Sequence, residues 1–431
     1  MTRILIHGGR VLDPSVDFDE LADVLIEEGR IARVEPGIEV RGAERVDATG
    51  CWVTPGFIDA HCHLREPGQE YKEDLASGSR AAVAGGFTGV ACMANTDPVN
   101  DDPSVTDYIL ARARKDAAAR IYPVAAATRG LKGEVMTEMS ALRASGAVAF
   151  SDDGATIMDS AVMRSVLEYS KLVDAPVMVH AEDLTLVRGG VVNEGPVSTR
   201  LGLPGNPAAA EDIHVSRDLQ LAALTGARLH VAHVSSAGAV ELIRRARDAG
   251  IQVTAEVTPH HLALTDEATL GYDTNTKMSP PLRSEADRDA CRKGLVEGVL
   301  DVVATDHAPH AVHEKEVDFV EAPPGVLGLE TAFAVVMDMV SSNELTPLEL
   351  IRRLSTNAAT ILGVPGGNLR AGEVADVVIL DPERTWTYDP AKGYSKSRNS
   401  PWDGEGMRGR VIATFVDGVM VFHADRGVLV Q

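Results

Sequence analysis

Residues 54–64 read Thr-Pro-Gly-Phe-Ile-Asp-Ala-His-Cys-His-Leu, an apolar run carrying Asp59, His61 and His63 at alternate positions. Alternate residues of a β-strand share a face, so this stretch predicts a strand with a carboxylate and two imidazoles in one row. Arg65, two residues on, extends the row. Two imidazoles on one face suggest a metal. A guanidinium beside them needs an anionic partner of its own, because it adds positive charge where a cation already sits.

Seven similar apolar runs follow, at 87–96, 120–128, 147–153, 175–183, 227–236, 251–261 and 300–310. Amphipathic segments with helical spacing lie between them, such as 104–119, 159–173, 212–226, 239–250 and 285–300. Eight alternations of strand and helix predict a distorted (β/α)8 TIM-like barrel within an α/β chain. A doubly wound sheet is disfavoured by the strand number and by the lack of a glycine-rich dinucleotide loop. Residues 3–50 instead read as short strands with glycine turns, and strand patterning returns at 372–382 and 409–427. The expected organisation is therefore residues 1–52 and 366–431 as two parts of one small β-sandwich, bracketing a barrel over 53–365.

Of the chain's residues, 45% are hydrophobic and 24% are charged, as in a globular protein, and the net charge is −22. That charge and an aromatic content of 4% argue against nucleic acid or an anionic membrane as partner. They do not argue against a small anionic substrate, because charge in a cleft can oppose the global sign. The four scattered cysteines and the lack of a signal-peptide pattern point to a reducing cytoplasm.

In such a barrel the chemistry sits where strands end. The strand ends offer Asp59, His61, His63 and Arg65; Asn95; Asp152 and Asp153; His180 with Glu182 and Asp183; His230 and His233; His260 and His261; and Asp306, His307 and His310. Taken singly these are weak signals: a strand-end histidine is usually a hydrogen-bonded core residue, and SDDG is usually a turn. Together they provide ligands for one or two divalent ions, zinc first. Only one of Asp152 and Asp153 can face the interior, and only one of His230 and His233 can be a ligand. Asp306 is placed to move a proton beside a metal. The apolar helix around residues 331–340 reads as core. The charged segment 311–324 reads as either a lid or a solvated loop.

The stretches GFIDAHCHLREPG (56–68), MANT (93–96), AFSDDG (149–154), VMVHAED (177–183), HVAHVSS (230–236), AEVTPHHL (255–262), KMSPPLR (277–283) and VATDHAPH (303–310) resemble, in order and spacing, the longer-chain bacterial dihydroorotases of the amidohydrolase superfamily. The resemblance implies reversible cyclisation of N-carbamoyl-L-aspartate to L-dihydroorotate in de novo pyrimidine (UMP) biosynthesis, with two Zn2+ per chain. By the same resemblance His61, His63, Asp153, His180, His233 and Asp306 are metal ligands, and Asp306 is the catalytic acid/base. Arg65, Asn95 and His310 match groups that hold the substrate carboxylate, with His63 also on the substrate. Ser279, Pro324 and Gly325 match positions lining the ring. Three positions depart from the family pattern: MANT replaces MPNT, Ser279 stands where asparagine is usual, and Pro324 stands where phenylalanine is common. A homodimer is expected, and association with aspartate transcarbamoylase is a further expectation. The competing readings are a hydantoinase, dihydropyrimidinase or allantoinase-type cyclic amidohydrolase, and an inactive scaffold for aspartate transcarbamoylase.

Overall fold

The computed structural model describes residues 3–429, so the outermost residues of both terminal segments lie outside the described residues. All eight predicted runs form strands: Phe57–Cys62, Phe87–Cys92, Arg120–Ala125, Ala149–Ser151, Val177–Val179, Leu229–Val231, Val253–Val257 and Val302–Val303. They lie side by side in chain order and pair in parallel. An isolated parallel bridge between Cys62 and His307 joins the eighth run to the first and closes the barrel. Its flanking hydrogen bonds run from His63 N to the His307 carbonyl (2.8 Å) and from Asp306 N to the His61 carbonyl (3.0 Å).

Strand alternation divides the buried residues into two layers. Ile58, Ala60, Ala91, Met93, Val124, Met178, Val302 and Ala304 form one cluster, which Ala358, Ala359 and Leu362 of helix Asn357–Leu362 join. Phe57, Phe87, Val90, Phe150, Val177, Leu229, Val253 and Val303 belong to a second cluster shared with the surrounding helices. Helix Ala332–Ser341 contributes Phe333, Val336 and Met337 to that layer, so its apolar face is core, as its pattern predicts.

The terminal segments build one sheet. Strand Trp52–Pro55 pairs antiparallel with Val377–Thr387, in register from Trp52 opposite Leu380 to Pro55 opposite Val377. Arg3–Asp13, Phe18–Glu27 and Arg30–Glu35 extend the sheet on one side, and Gly406–Val416, Val419–His423 and Gly427–Val428 extend it on the other. Ile4, Ile6, Val11, Val24, Val53, Val377, Ile379 and Phe415 form its own core. The chain passes from sheet to barrel at Gly56, where a Cβ would meet the Thr88 side chain at 2.2 Å. Trp52–Pro55 thus belongs to the terminal sheet, and barrel pairing begins at Phe57.

Phe57 locks this junction. It is fully buried, packs edge-on to Phe87 with ring centroids 5.6 Å apart, and lies 5.9 Å from Phe333. Phe57→Ala is expected to lower stability by about 3–5 kcal/mol, read as a shift of the denaturant midpoint.

Candidate active site

His61 is aimed by a group on the seventh strand and His63 by one in the loop after the second. His61 Nδ1 lies 2.6 Å from Glu256 Oε1, and His63 Nδ1 lies 2.9 Å from Asn95 Oδ1. Both Nε2 atoms therefore turn to the centre. His63 Nε2 meets Asp306 Oδ1 at 3.0 Å and Asp153 Oδ2 at 3.4 Å. His61 Nε2 lies 3.3 Å from Asp153 Oδ2 and 3.7 Å from Asp306 Oδ1. His233 Nε2 reaches Asp153 Oδ1 at 3.2 Å. Two sets of ligand atoms result, His61–Asp153–His233 and His61–His63–Asp306, sharing His61. His180 stands at their edge: its Nδ1 is 2.9 Å from His233 Nε2 and 3.7 Å from Asp153 Oδ1, and its Nε2 meets Glu182 at 2.9 Å.

The paired alternatives separate cleanly. Asp153 faces the cluster, while Asp152 turns to Thr128, accepting from its backbone N–H at 2.8 Å and from its hydroxyl. His233 faces the cluster, while His230 lies between Thr254 Oγ1 (2.8 Å) and Glu256 Oε2 (3.0 Å). His260 and His261 fall in the short helix Pro259–Ala263. His261 is held by Thr258 and the Pro280 carbonyl, whereas the buried His260 Nε2 has no partner.

The predicted single row Asp59–His61–His63–Arg65 does not form. The register is broken between Asp59 and Cys62, and Ile58 and Ala60 are the residues that join the interior cluster. Asp59 accepts hydrogen bonds from the Thr305 backbone at 2.9 Å, the Thr305 hydroxyl at 2.5 Å and His61 N at 3.3 Å. It braces the first strand against the eighth. Arg65 lies beyond the strand in a left-handed conformation, φ 61°.

Arg65 is 8% exposed, and among the described residues the one hydrogen bond of its side chain runs from Nε to the Pro309 carbonyl at 3.2 Å. Among the described residues no carboxylate sits within salt-bridge distance of it. His310 donates from Nε2 to the Pro324 carbonyl at 2.8 Å, which engages both residues with each other. Burial, with the Arg65, Lys315 and Lys72 cations nearby, pushes the His310 imidazole down to about 2, so the ring is neutral. Ser279 donates to Glu182 at 3.1 Å, and Gly325 N donates to the Lys277 carbonyl at 2.8 Å. Asn95 keeps only its amide nitrogen free of His63. Segment 311–324 is pinned by two buried lysines. Lys277 Nζ donates to the Phe319 and Val320 carbonyls, both at 2.8 Å, and Lys315 Nζ donates to the Pro323 carbonyl at 2.8 Å.

The donor set fits divalent cations. His61 Nε2, which faces the cluster, is buried without a hydrogen-bond partner, and the ring nitrogens opposite the cluster on His61 and His63 are fixed by oxygen atoms. The field also favours positive charge. Burial opposes a charged imidazole, yet Asp153 and Glu256 lift His61 well above its usual range, and Asp153 and Glu182 lift His180 to about 10. Against the same burial, the imidazoles hold Asp153 well below the ordinary carboxylate range and Glu256 at about 2.

Glu256 went unassigned from sequence, though a signal was present. It is the one charged residue in the run Val253–Val257, placed inward by alternation while Val253, Ala255 and Val257 pack outward. Glu256→Gln is expected to weaken metal binding about 10–100-fold with the fold retained, measured by competition with a chelator of known affinity.

Comparison with known proteins agrees with this geometry. A family model described as Dihydro-orotase-like matches residues 50–239. A dihydroorotase of Anaeromyxobacter dehalogenans (strain 2CP-1 / ATCC BAA-258) is 52% identical over 426 residues, covering 98% of each chain. A dihydroorotase of Syntrophus aciditrophicus (strain SB) is 50% identical across 98% of this chain and 100% of its own. Among solved structures, L-hydantoinase (dihydropyrimidinase) from Arthrobacter aurescens shares the fold with a TM-score of 0.91 at 24% identity, covering 100% of this chain and 98% of that one. Dihydropyrimidinase from Brevibacillus agri NCHU1002 gives a TM-score of 0.87 at 25% identity, covering 99% and 96%. With relatives this similar along nearly its entire length, and a barrel mouth built from the same histidines and aspartates that its motifs announce, the chain belongs to the dihydroorotase family.

Proposed function

We propose that the chain is a dihydroorotase, interconverting N-carbamoyl-L-aspartate and L-dihydroorotate, with two zinc ions held by His61, His63, Asp153, His180, His233 and Asp306. The observation that carries the substrate assignment is Arg65: a buried guanidinium beside the ligand cluster with no carboxylate of its own. A buried cation of this kind calls for an anion. Dihydroorotate carries a carboxylate on its ring, whereas hydantoin and dihydrouracil do not. Arg65 is thus the group that separates this reaction from neighbouring cyclic-amide hydrolyses.

When bound, the metal ions would polarise the ring amide carbonyl and make water a nucleophile near neutral pH. Asp306 performs the proton transfer. Burial alone would push its carboxyl up, but the hydrogen bond from His63 and the positive field of His61 and His233 hold it far below the usual carboxylate range. It is therefore ionised, the form in which a carboxylate beside the metal site would take a proton from the attacking water and pass it to the departing ring nitrogen. Glu256 and Asn95 keep His61 and His63 oriented throughout. Arg65 holds the carboxylate away from the reacting bond, with Asn95 Nδ2 and His310 at the same wall. For His310 to donate to substrate, its hydrogen bond to the Pro324 carbonyl must open. Ser279 and the backbone of Pro324 and Gly325 stand at the ring end of the site. The serine acts there through its contact with Glu182.

No helix among the described residues is long and apolar enough to cross a membrane, and the four cysteines are free thiols. The free thiols support a reducing, cytoplasmic setting. Self-association as a homodimer, and association with an aspartate transcarbamoylase, belong to the same reading. Both are testable by light scattering on the chain alone and after mixing.

The decisive assay is turnover of dihydroorotate against hydantoin and dihydrouracil, with metal per chain measured on the same sample. Strong preference for dihydroorotate is expected, and equal or better turnover of the uncharged rings would overturn the assignment. Asp306→Asn is expected to lower kcat by about 10²–10⁴-fold with much of the metal retained; near-normal kcat would remove Asp306 from its role. Arg65→Met is expected to raise KM about 100-fold with metal content unchanged; loss of metal instead would show a structural role at the cluster.

A further inference from the structure

Residues 395–400 leave the terminal sheet between strands Val377–Thr387 and Gly406–Val416 and run to the barrel mouth. This strap is tied to the loop after the first barrel strand. The Ser395 hydroxyl meets the buried Glu73 carboxylate, Ser397 Oγ donates to the Lys72 carbonyl at 2.7 Å, and Lys396 Nζ donates to the Glu70 carbonyl at 2.8 Å.

At its end stands Asn399, 3% exposed. Its Oδ1 accepts from His310 N at 3.0 Å. Its Nδ2 donates to the Ala308 carbonyl at 2.9 Å and to the Gly325 carbonyl at 3.0 Å. Its own carbonyl accepts from Leu327 N at 2.8 Å. One side chain therefore grips both ends of the segment Ala308–His310 and joins it to the segment carrying Pro324 and Gly325. The peptide oxygen in the middle of that segment, on Pro309, is the acceptor for Arg65 Nε. Asn399 thus sets His310 directly and Arg65 through the Pro309 carbonyl.

We propose that Asn399 is a positioning residue for the carboxylate-binding wall formed by Arg65 and His310, supplied to the barrel by the C-terminal part of the chain; this rests on dihydroorotate as the substrate. Only a carboxamide suits the position, because one partner is an N–H and two are carbonyls. An aspartate keeps the acceptor for His310 N but turns an oxygen against two carbonyl oxygens. An alanine leaves His310 N and the Ala308 carbonyl buried without partners, and leaves the Gly325 carbonyl only Lys315 Nζ, at 3.1 Å. Neither change touches the metal cluster, so the effect falls on the fit to the substrate anion and not on the chemical step.

The test compares wild type, Asn399→Asp, Asn399→Ala and Ser397→Ala for kcat, KM with dihydroorotate, metal per chain and thermal midpoint. Both Asn399 variants are expected to raise KM about tenfold or more while kcat changes far less and metal content is retained. Ser397→Ala removes a strap hydrogen bond without touching residues 308–310, and its KM is expected to match wild type. An unchanged KM in Asn399→Asp, a loss confined to thermal midpoint, kcat or metal, or an equal rise of KM in Ser397→Ala would overturn the proposal. A wild type that does not turn over dihydroorotate would remove the substrate reading and the proposal together. An active wild type with any of the preceding results removes the proposal alone.

Discussion

Four carboxylates, Asp153, Glu182, Glu256 and Asp306, are buried at one end of this barrel, and the site is organised around compensating them. Removing an ionised carboxylate from water is costly unless cations and hydrogen bonds replace the lost hydration. Here the replacements are imidazoles. Glu256 lies between His61 and His230, Glu182 lies against His180, and Asp153 and Asp306 face His61, His63 and His233. That mutual dependence ties the first, fourth, fifth, sixth, seventh and eighth strands to one centre. The same negative field that requires the histidines makes the place suited to a divalent cation.

Backbone geometry serves the same end. His233, Asp306 and Arg65 all lie in the left-handed region, with φ of 34°, 45° and 61°. Each such residue costs about 1–3 kcal/mol and persists only where surrounding contacts over-determine it. Those contacts are visible: Asp306 N bonds the His61 carbonyl, His233 N approaches Glu256, and Arg65 leans on Pro309.

The barrel strands and most of the cluster were legible in the residues because their signals are local. Apolar alternation marks a strand wherever it sits, and polar groups at strand ends mark the mouth. The roles of Glu256 and Glu182 were less legible because each depends on a partner from another strand. Asp59 was misplaced for a different reason: a register break within Phe57–Cys62 overturns strict alternation, and nothing in the residue pattern announces the break. The commitment of Ser279 to Glu182 and of His310 to Pro324 likewise involves partners 97 and 14 residues away. The contribution of Asn399 is of the same kind, since it reaches His310 from 89 residues away, in the connection between strands Val377–Thr387 and Gly406–Val416.

The amino-acid sequence by itself determined the eightfold strand-and-helix alternation, the sheet-forming character of both ends, and the supply of imidazoles and carboxylates at the strand ends. These follow from periodicity and side-chain chemistry, which act within a few residues. Tertiary structure decided which member of each neighbouring pair faces the centre, which nitrogen of each histidine points inward, and which groups remain free for a substrate. Those outcomes depend on hydrogen-bond partners brought together only when the eighth run closes on the first, so they belong to the assembled barrel and not to any one segment.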